Sequence, residues 1–466
     1  AGLYAMGQVR RATKNFVLID GGILGTTCAR VGCMPSKAMI QIAEDFHRKN
    51  IFDRQGIKGK ENLILNIPES MEHIQDLRDT FVDRTLGHSI KKLPADKLIT
   101  SHAHFIDSNT LTTDDGQIIK AKKIILATGS RPIIVDAWQA FGERIVTTNE
   151  IFELEDLPES MAIIGLGVIG LEIGQSLSRM GVKVTGIDQQ LSIGAIDDKE
   201  INKTAIDIIS KEMTLWLGES ADISEHKNGK LIVTAGENSI VVDKVLLSLG
   251  RRANTDKLNL SATGIDLDKH GIPVFDPHTM QTSHCDIFIA GDCSADKPMM
   301  HEAGFEGRIA GYNAMQQQST AFKQKTPLAI TFCDPNIVTV GARLADLDRD
   351  NIAIGEAQLA NVGRALIIGK NKGLIRVYAD KASGKILGAA MICIKGENLG
   401  HLLCWSIEMG MTVQDLLRMP YYHPVIEEAL QAALYNLKAK LNLHKNKAKQ
   451  SWPIELEPLN TVLKNE

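Results

Sequence analysis

Along residues 161 to 188, the pattern of apolar and polar residues changes from that of a buried strand to that of a helix and back to that of a strand. The segment MAIIGLGVIGLEIGQSLSRMGVKVTGID opens with an apolar strand, passes through a glycine turn into a helix, and closes with a second strand that ends at Asp188. Gly165, Gly167 and Gly170 fit G-x-G-x-x-G: the first permits a tight turn, the second lets a pyrophosphate approach, and the third lets helix and strand pack closely. We therefore predict a dinucleotide-binding unit in which Asp188 accepts hydrogen bonds from an adenosine ribose.

The first twenty residues, AGLYAMGQVRRATKNFVLID, read as the same unit without its beginning. Gly2 and Asp20 are separated by the same interval as Gly170 and Asp188, so we expect Gly2 to be the third glycine of a second fingerprint. The first strand and the first two glycines of this fingerprint are expected upstream of Ala1. The alternative is an unrelated amphipathic helix followed by a strand. Two such sites in one chain predict electron transfer between two nucleotide cofactors, a flavin and a nicotinamide.

The length of the chain and its net charge limit the classes of protein to which it can belong. A chain of 466 residues is too long for one hydrophobic core, and about three domains are expected. The formal charge of -4 gives no field that would gather nucleic acid or an anionic membrane surface. Neither an apolar run of about 20 residues nor a signal pattern is present. We expect a cytoplasmic enzyme that acts on small molecules.

Cys28 and Cys33 form the one close pair among seven cysteines, within GGILGTTCARVGCMPSK. A disulfide between them closes too short a loop to stabilise the fold much, so a catalytic or metal-binding role is the better interpretation. A metal site needs further soft or imidazole ligands, and no second close Cys or His pair accompanies these two. Thiol-disulfide exchange is therefore favoured, and no metal is predicted.

The pattern G-x-x-C-x-x-x-x-G-C-x-P-S-K resembles the flavin disulfide reductases, and the resemblance extends through about residue 440. ATGSRP, which contains Gly129, looks like the family's segment crossing from the flavin domain to the nicotinamide domain. LLSLGRRANT, which contains Gly250, looks like the returning segment. TSHCDIFIAGDC resembles the second flavin motif, which implies that Asp292 holds a hydroxyl of the flavin sugar chain. FAD and NAD are the implied cofactors.

The segment HPVIEEAL resembles the family's C-terminal catalytic motif. The resemblance implies that His423 is the acid and base and that Glu428 orients it. Without the family context, an exposed histidine before a helix with acidic residues in its first turn is the simpler interpretation. Family members place this histidine in the active site of the other subunit, so a homodimer is implied.

The resemblance also gives the remaining site residues their roles. Cys28 is implied to exchange with the substrate sulfur, and Cys33 to contact the flavin. Lys37 and Glu172 are implied to form an ion pair beside the flavin ring. Electrons are expected to run from a dithiol through the cysteines and the flavin to the nicotinamide.

Within the family, this chain is most similar to the lipoamide dehydrogenases. Asp188, followed by two glutamines, favours NAD because an acid would repel the 2′-phosphate of NADP. The Pro-Ser-Lys after Cys33 and the MHEA segment that begins at Met300 point the same way, and Met300 is implied to lie at the flavin. A lipoyl dithiol is then the expected substrate, and a 2-oxo acid dehydrogenase or glycine cleavage complex the expected partner.

Some positions depart from the lipoamide pattern. Arg30 replaces a usual asparagine, and Tyr421 and Tyr422 replace His-Ala before His423. Arg30 favours an anionic substrate, so an NAD(P)H-dependent reductase of another small disulfide, similar to glutathione reductase, is the alternative. A non-catalytic flavin-binding or metal-binding protein is a third hypothesis, which the complete set of catalytic residues disfavours.

The predicted fold is α/β, with two Rossmann-like dinucleotide-binding domains and a C-terminal α+β dimerisation domain. The predicted FAD domain spans 1–145 and 271–325, the NAD domain 146–270 and the dimerisation domain 326–466. The end of the chain extends beyond the family's usual length, and we expect a loosely ordered tail or a strap across the dimer anchored by Trp452.

Overall fold

The computed structural model describes residues 1–284, 286–441, 453, 455 and 456. Trp452 lies outside the described residues. The α-helices are α1 (Gly2–Ala12), α2 (Thr27–Val31), α3 (Cys33–His47), α4 (Ile67–His88), α5 (Val168–Arg179), α6 (Lys199–Ile209), α7 (Met300–Asn313), α8 (Gly363–Ile368), α9 (Gly396–Glu408), α10 (Val413–Arg418) and α11 (Glu428–Lys440).

Strands of the first half of the chain are β1 (Leu18–Ile19), β2 (Leu98–Ile99), β3 (Ala103–Phe105), β4 (Thr110–Thr113), β5 (Ile118–Lys120), β6 (Ile124–Leu126), β7 (Ser130–Pro132), β8 (Ile145–Val146), β9 (Ser160–Ile164), β10 (Lys183–Asp188), β11 (Thr214–Leu217) and β12 (Ala221–Glu225). Those of the second half are β13 (Leu231–Ala235), β14 (Asn238–Val242), β15 (Lys244–Leu247), β16 (Arg251–Ala253), β17 (Phe275–Asp276), β18 (Gln281–Thr282), β19 (Ile287–Ile289), β20 (Leu328–Thr331), β21 (Asn336–Gly341), β22 (Ile352–Gln358), β23 (Leu374–Asp380) and β24 (Ile386–Cys393). Short 3₁₀ helices lie between several of these elements.

The predicted nicotinamide domain is a parallel sheet in the order β11-β10-β9-β15-β8. Its strands are apolar on both faces because both faces are covered, by helix α5 on one side and by the antiparallel sheet β12-β13-β14 on the other. Parallel strands joined by a helix place the glycine turn after β9 at the carboxyl edge of the sheet, where nucleotides bind in such folds.

The flavin domain contains strands from both of its predicted segments. Strand β19 pairs in parallel with β6, and the antiparallel strands β17 and β18 extend the same sheet. Strands β1 and β2 form a separate parallel pair, and the described residues show no ladder joining this pair to β6. The strand expected upstream of Ala1 stays a prediction.

Two crossing segments connect the flavin and nicotinamide domains, and they pair with each other. Strand β7, within ATGSRP, is antiparallel to β16, within LLSLGRRANT, with Ser130 opposite Ala253. After β16 the chain packs against the flavin-domain core, where Leu260 and Ile265 join the cluster that contains Phe105. The return to that core therefore begins before residue 271.

The third domain is an antiparallel sheet, β20-β21-β24-β23-β22, covered by helices α9 and α11. Its topology is the predicted α+β arrangement, and the predicted fold class is confirmed by the structure as a whole. Among the described residues, no helix combines the length and the apolar character that a membrane crossing requires.

Candidate active site

One large cavity of about 3820 Å³ runs through the flavin domain and reaches the nicotinamide domain. Pockets for single small molecules are typically a few hundred to about 1000 Å³, so this cavity has room for more than one. Most of the predicted site residues line it: Gly2, Asp20, Cys28, Cys33, Lys37, Gly129, Gly167, Glu172, Gly250, Asp292 and Met300. Gly165, Gly170, Asp188, His423 and Glu428 do not line it.

The cysteine pair lies at a break between two helices. Helix α2 carries Cys28 and is capped by the Thr26 hydroxyl, which accepts a hydrogen bond from the amide of Ala29 at 3.1 Å. Helix α3 then begins at Cys33 itself. A Cβ atom on the intervening Gly32 would lie 2.9 Å from the carbonyl oxygen of Thr27, so the close approach of the two helices requires glycine here.

The two thiols are unbridged, partly exposed and chemically unequal. A hydrogen bond from the Cys28 thiol lowers the pKa of Cys33 to about 7, and the ammonium of Lys37 adds to this effect. The same hydrogen bond, together with burial, raises the pKa of Cys28 well above its usual range. Cys33 is therefore the more readily ionised thiol of the reduced pair, and the thiolate is the reactive form of a cysteine.

Lys37 and Glu172 form an ion pair between helix α3 and helix α5. The Lys37 Nζ atom lies 2.7 Å from Glu172 Oε2, and the Glu172 side chain is only 4% exposed. The other carboxylate oxygen, Oε1, accepts a hydrogen bond of 2.8 Å from the backbone amide of Phe332. A buried carboxylate is expensive unless it is paired, and here both of its oxygens have partners.

The glycine turn of the nicotinamide domain leaves space where a nucleotide is expected. A Cβ on Gly170 would lie 1.9 Å from the carbonyl oxygen of Gly165, whose φ is +95°, so this glycine serves packing of the turn. A Cβ on Gly167 would meet no atom within 4 Å. The Asp188 carboxylate accepts hydrogen bonds from the amides of Leu166 and Gln190 at 2.6 and 2.8 Å and retains free lone pairs for ribose hydroxyls.

The flavin-side residues also fit a dinucleotide. Asp20 follows strand β1 and accepts a hydrogen bond from the amide of Gly22 at 3.0 Å. Gly129 has a φ of +70° and no atom within 4 Å of a Cβ position. Met300 begins helix α7 and is half exposed. These open positions on the cavity wall are compatible with the close approach of FAD, and we retain them as its predicted contacts.

Asp292 lies just after strand β19 in a small polar cluster. Its Oδ2 atom accepts a hydrogen bond of 2.8 Å from the Ser130 hydroxyl and lies 4.0 Å from Arg251 Nε. Arg251 in turn donates to the Ser130 hydroxyl and to the Ser130 carbonyl, at 2.8 and 2.7 Å. The cluster joins the two crossing segments to the second flavin motif.

Sequence reasoning missed Arg251, Ser130 and Phe332. Arg251 stands beside Arg252 in the returning segment, and the sequence offers no means of choosing between them. In the structure Arg252 is mostly exposed and pairs with Asp256, whereas Arg251 is mostly buried. Strand β16 pairs with β7, and alternate side chains of a strand point to opposite faces, so Arg251 and Arg252 have different surroundings.

His423 and Glu428 lie together at the start of helix α11. The His423 Nδ1 atom is 2.8 Å from Glu428 Oε1, and Glu428 Oε2 accepts a hydrogen bond from the amide of Val425 at 3.1 Å. The hydrogen bond with His423 holds the pKa of Glu428 below its usual value. The His423 side chain is 79% exposed and does not line the cavity that contains the cysteines of its own chain.

Known protein families cover almost the whole chain. A family model described as pyridine nucleotide-disulphide oxidoreductase matches residues 1–324. A second model, the dimerisation domain of the same family, matches residues 328–434, and this match supports a homodimer. Both predicted cofactors, FAD and NAD, are those of this family.

Curated relatives carry consistent names. A dihydrolipoyl dehydrogenase of Geobacillus stearothermophilus is 29% identical over 442 residues, which cover 90% of this chain and 90% of the relative. A dihydrolipoyl dehydrogenase of Haloferax volcanii is 28% identical over 454 residues, which cover 91% and 92%.

Solved structures share the fold. LpdA from Mycobacterium tuberculosis has a TM-score of 0.82 at 21% identity, over 94% of this chain and 97% of the other. The HOCl-induced flavoprotein disulfide reductase RclA from Escherichia coli, in a Cu(II) complex, has a TM-score of 0.80 at 19% identity, over 93% and 96%. The predicted resemblance is confirmed: this chain belongs to the pyridine nucleotide-disulphide oxidoreductase family.

Proposed function

We propose that this protein oxidises dihydrolipoamide and passes the electrons to NAD. The main support is the arrangement of Cys28 and Cys33, one acidic thiol and one hydrogen-bonded to it, in the wall of a cavity that also carries the Lys37–Glu172 pair. The names of the curated relatives agree with this substrate.

In the proposed reaction the oxidised enzyme holds a Cys28–Cys33 disulfide. A substrate thiolate attacks the Cys28 sulfur, and Cys33 leaves as a thiolate. An acidic thiol is the better leaving group in such an exchange, and Cys33 has the lower pKa of the two. The second substrate sulfur then displaces Cys28, so the substrate becomes a cyclic disulfide and the enzyme pair gains two electrons.

Proton transfer is assigned to His423 of the partner subunit. Its Nδ1 atom is held by Glu428, which leaves Nε2 to take the proton of the incoming dithiol and to keep the substrate thiolate available. The high exposure of His423 in the single chain supports this assignment, since an exposed imidazole is free to enter another subunit's site.

Two cofactor sites complete the proposal. FAD would be held by Gly2, Asp20, Lys37, Gly129, Asp292 and Met300, and NAD by Gly165, Gly167, Gly170, Glu172, Asp188 and Gly250. When bound, the flavin supplies the two-electron chemistry that links a dithiol to a nicotinamide. The protein's part is to orient the groups and to keep the Lys37 charge beside Cys33.

Reduction of another small disulfide is the second candidate function. Arg30 lines the cavity two residues after Cys28, and no carboxylate among the described residues forms a salt bridge with it. Its guanidinium has one long contact, 3.5 Å, to the carbonyl oxygen of Ile23. A cation without a counter-charge on the cavity wall favours an anionic substrate over a neutral amide.

Parallel assays separate the two functions. We expect fast NADH formation from NAD and dihydrolipoamide, and little oxidation of NADPH or NADH by oxidised glutathione. If the enzyme instead reduces an anionic disulfide with NADH and Arg30→Asn abolishes that reaction, dihydrolipoamide is not the substrate. The Arg30→Asn variant should leave dihydrolipoamide oxidation nearly unchanged under the main proposal.

The cellular setting belongs to the same proposal. A lipoyl group carried by a 2-oxo acid dehydrogenase or glycine cleavage complex is the expected form of the substrate, and a cytoplasmic location is expected. Co-purification of the protein with a lipoylated complex from its own cells would support this setting.

A further inference from the structure

The turn between strands β20 and β21 reaches from the third domain into the active site. Its first residue, Phe332, lines the cavity and contacts both members of the Lys37–Glu172 pair. The backbone amide of Phe332 donates to Glu172 Oε1 at 2.8 Å. The centroid of its ring lies 4.6 Å from Lys37 Nζ. One residue thus holds the carboxylate with its backbone and the ammonium with its ring.

The contact between the ring and the ammonium is a cation–π interaction. Such contacts occur within about 6 Å of the ring centroid, and they are stronger where water is excluded than at exposed sites. Lys37 is one-third exposed, so its ammonium has alternative positions in solvent. Its only other described hydrogen-bond partner besides Glu172 is the Ser36 hydroxyl, at 3.5 Å. The ring therefore restricts the Lys37 ammonium to fewer positions than the ion pair with Glu172 would allow by itself.

The position of Phe332 is itself fixed by helix α5. Glu172, Gln175 and Arg179 lie on one face of this helix, at i, i+3 and i+7. Gln175 exchanges two hydrogen bonds of 2.8 Å with the backbone of Asp334, one from the Asp334 amide and one to its carbonyl. Arg179 Nη1 lies 2.9 Å from Asp334 Oδ2, and the Arg179 side chain is 5% exposed. The turn is thus held at residues 332 and 334.

We propose that Phe332 is a positioning residue that holds the Lys37 ammonium beside Cys33 from the third domain. The inference rests on the proposed function only in assigning Lys37 and Cys33 to the redox centre. Its consequence is that a side chain of the dimerisation domain sets the charge environment of the reactive thiol. Phe332 acts through Lys37 and has no chemical role of its own.

The test measures how readily Cys33 ionises in the flavin-loaded, fully reduced protein without substrate. The rate of alkylation by iodoacetamide is followed against pH, and Cys33 is quantified on its own tryptic peptide, VGCMPSK, which cleavage at Arg30 separates from Cys28. The variants are Phe332→Leu, Phe332→Tyr and Lys37→Met; in the last, the peptide extends to Arg48 and still lacks Cys28. All three retain the backbone amide at residue 332 that binds Glu172. Thermal unfolding of each variant verifies that it is folded.

We expect Phe332→Leu to shift the midpoint of the Cys33 profile upward by roughly 0.3 to 1 pH unit, because a less restrained ammonium stabilises the thiolate less. Phe332→Tyr, which keeps the ring, should match the unmodified protein, and Lys37→Met should shift the midpoint at least as far as Phe332→Leu. An unchanged midpoint in Phe332→Leu beside a shifted one in Lys37→Met would overturn the proposal. Equal shifts in the leucine and tyrosine variants would do the same. Failure of the dihydrolipoamide assay alone would leave this result standing.

Discussion

Two sulfur atoms in neighbouring helices have different acidities because their surroundings differ. Cys33 begins helix α3 and receives a hydrogen bond from the Cys28 thiol, with the Lys37 ammonium on the same helix. Burial raises the pKa of other cysteines, for example Cys333 and Cys293. Among the cysteines that the structure describes, Cys33 is thus the one whose pKa is lowered, by a hydrogen bond and a nearby charge.

The first prediction concerns the pH dependence of this pair. Alkylation of Cys33 should accelerate as pH rises through about 7, because its thiolate is present above that pKa and is lost below it. Cys28 should react appreciably only at higher pH, since its pKa is raised. Peptide-resolved alkylation of the reduced protein between mildly acidic and mildly alkaline pH measures both. Equal pH profiles of alkylation for the two cysteines would contradict the predicted difference between their pKa values.

The second prediction concerns Glu428. Glu428→Gln should lower kcat for dithiol oxidation by roughly 10-fold to 100-fold, because a neutral amide holds the imidazole of His423 less well. His423→Gln should cost more, roughly 100-fold to 10,000-fold. Steady-state kinetics with dihydrolipoamide and NAD give both values. Glu427→Gln is the control: it replaces the neighbouring acid, for which no hydrogen bond with His423 is described. A greater loss in that control than in Glu428→Gln would contradict the assignment.

At the scale of elements, two glycines of the turn after β9 differ in their surroundings: Gly170 is needed for packing, and Gly167 leaves space where we expect a nucleotide. A Cβ on Gly170 would overlap the carbonyl oxygen of Gly165 and the hydroxyl of Ser248, whereas Gly167 faces open space although both belong to one fingerprint. The sequence spacing predicted the strand, the turn and the helix, since these are local features of adjacent residues. It did not reveal that helix α5 carries the stripe Glu172, Gln175 and Arg179 against another domain, because those partners are more than 150 residues away in the chain.

The third prediction uses this contrast. Gly167→Ala should retain the thermal stability of the protein but weaken NADH binding by roughly tenfold, because the new methyl group occupies space left for the pyrophosphate. Gly170→Ala should lower the melting temperature or prevent folding, because its Cβ would overlap the carbonyl oxygen of Gly165. Fluorescence titration with NADH and thermal unfolding measure the two effects. The idea is wrong if the two variants behave alike.

At the scale of the whole molecule, helix α9 and the residue after it expose a large apolar face. Leu402, Trp405 and Met409 are 39%, 62% and 79% exposed in the single chain. Exposed apolar groups of this size often mark an interface, and they lie in the segment that matches a dimerisation domain. A homodimer also explains why His423 and Glu428, paired with each other, lie away from the cavity of their own chain.

The sequence predicted features formed by residues close together in the chain better than contacts between residues far apart in it. The cysteine pair and the glycine fingerprints are local motifs, so their spacing was informative, whereas the roles of His423 and Glu428 came from the family resemblance. Lys37 and Glu172 are 135 residues apart, and only the family resemblance joined them. Arg251 and Phe332 were not foreseen, because their contacts, with Ser130 and Lys37, join segments that are far apart in the chain.

The fourth prediction tests the shared site. Mixed dimers of a Cys28→Ser chain and a His423→Gln chain should recover about half the activity of the unmodified dimer, because one of their two sites has both residues intact. Each variant alone should be nearly inactive. Co-expression with two affinity tags isolates the mixed dimer for assay with dihydrolipoamide and NAD. No recovery in that dimer would mean that His423 acts within its own chain.

The path of the electrons can be tested by comparing two reactions of one variant, Cys28→Ser. The protein, loaded with FAD, is assayed for NADH formation from dihydrolipoamide and NAD, and for NADH oxidation by ferricyanide, which accepts electrons without thiols. We expect the variant to lose the first reaction almost completely and to retain most of the second. Normal dihydrolipoamide oxidation in Cys28→Ser would contradict the role of the Cys28–Cys33 pair, and with it the proposed mechanism.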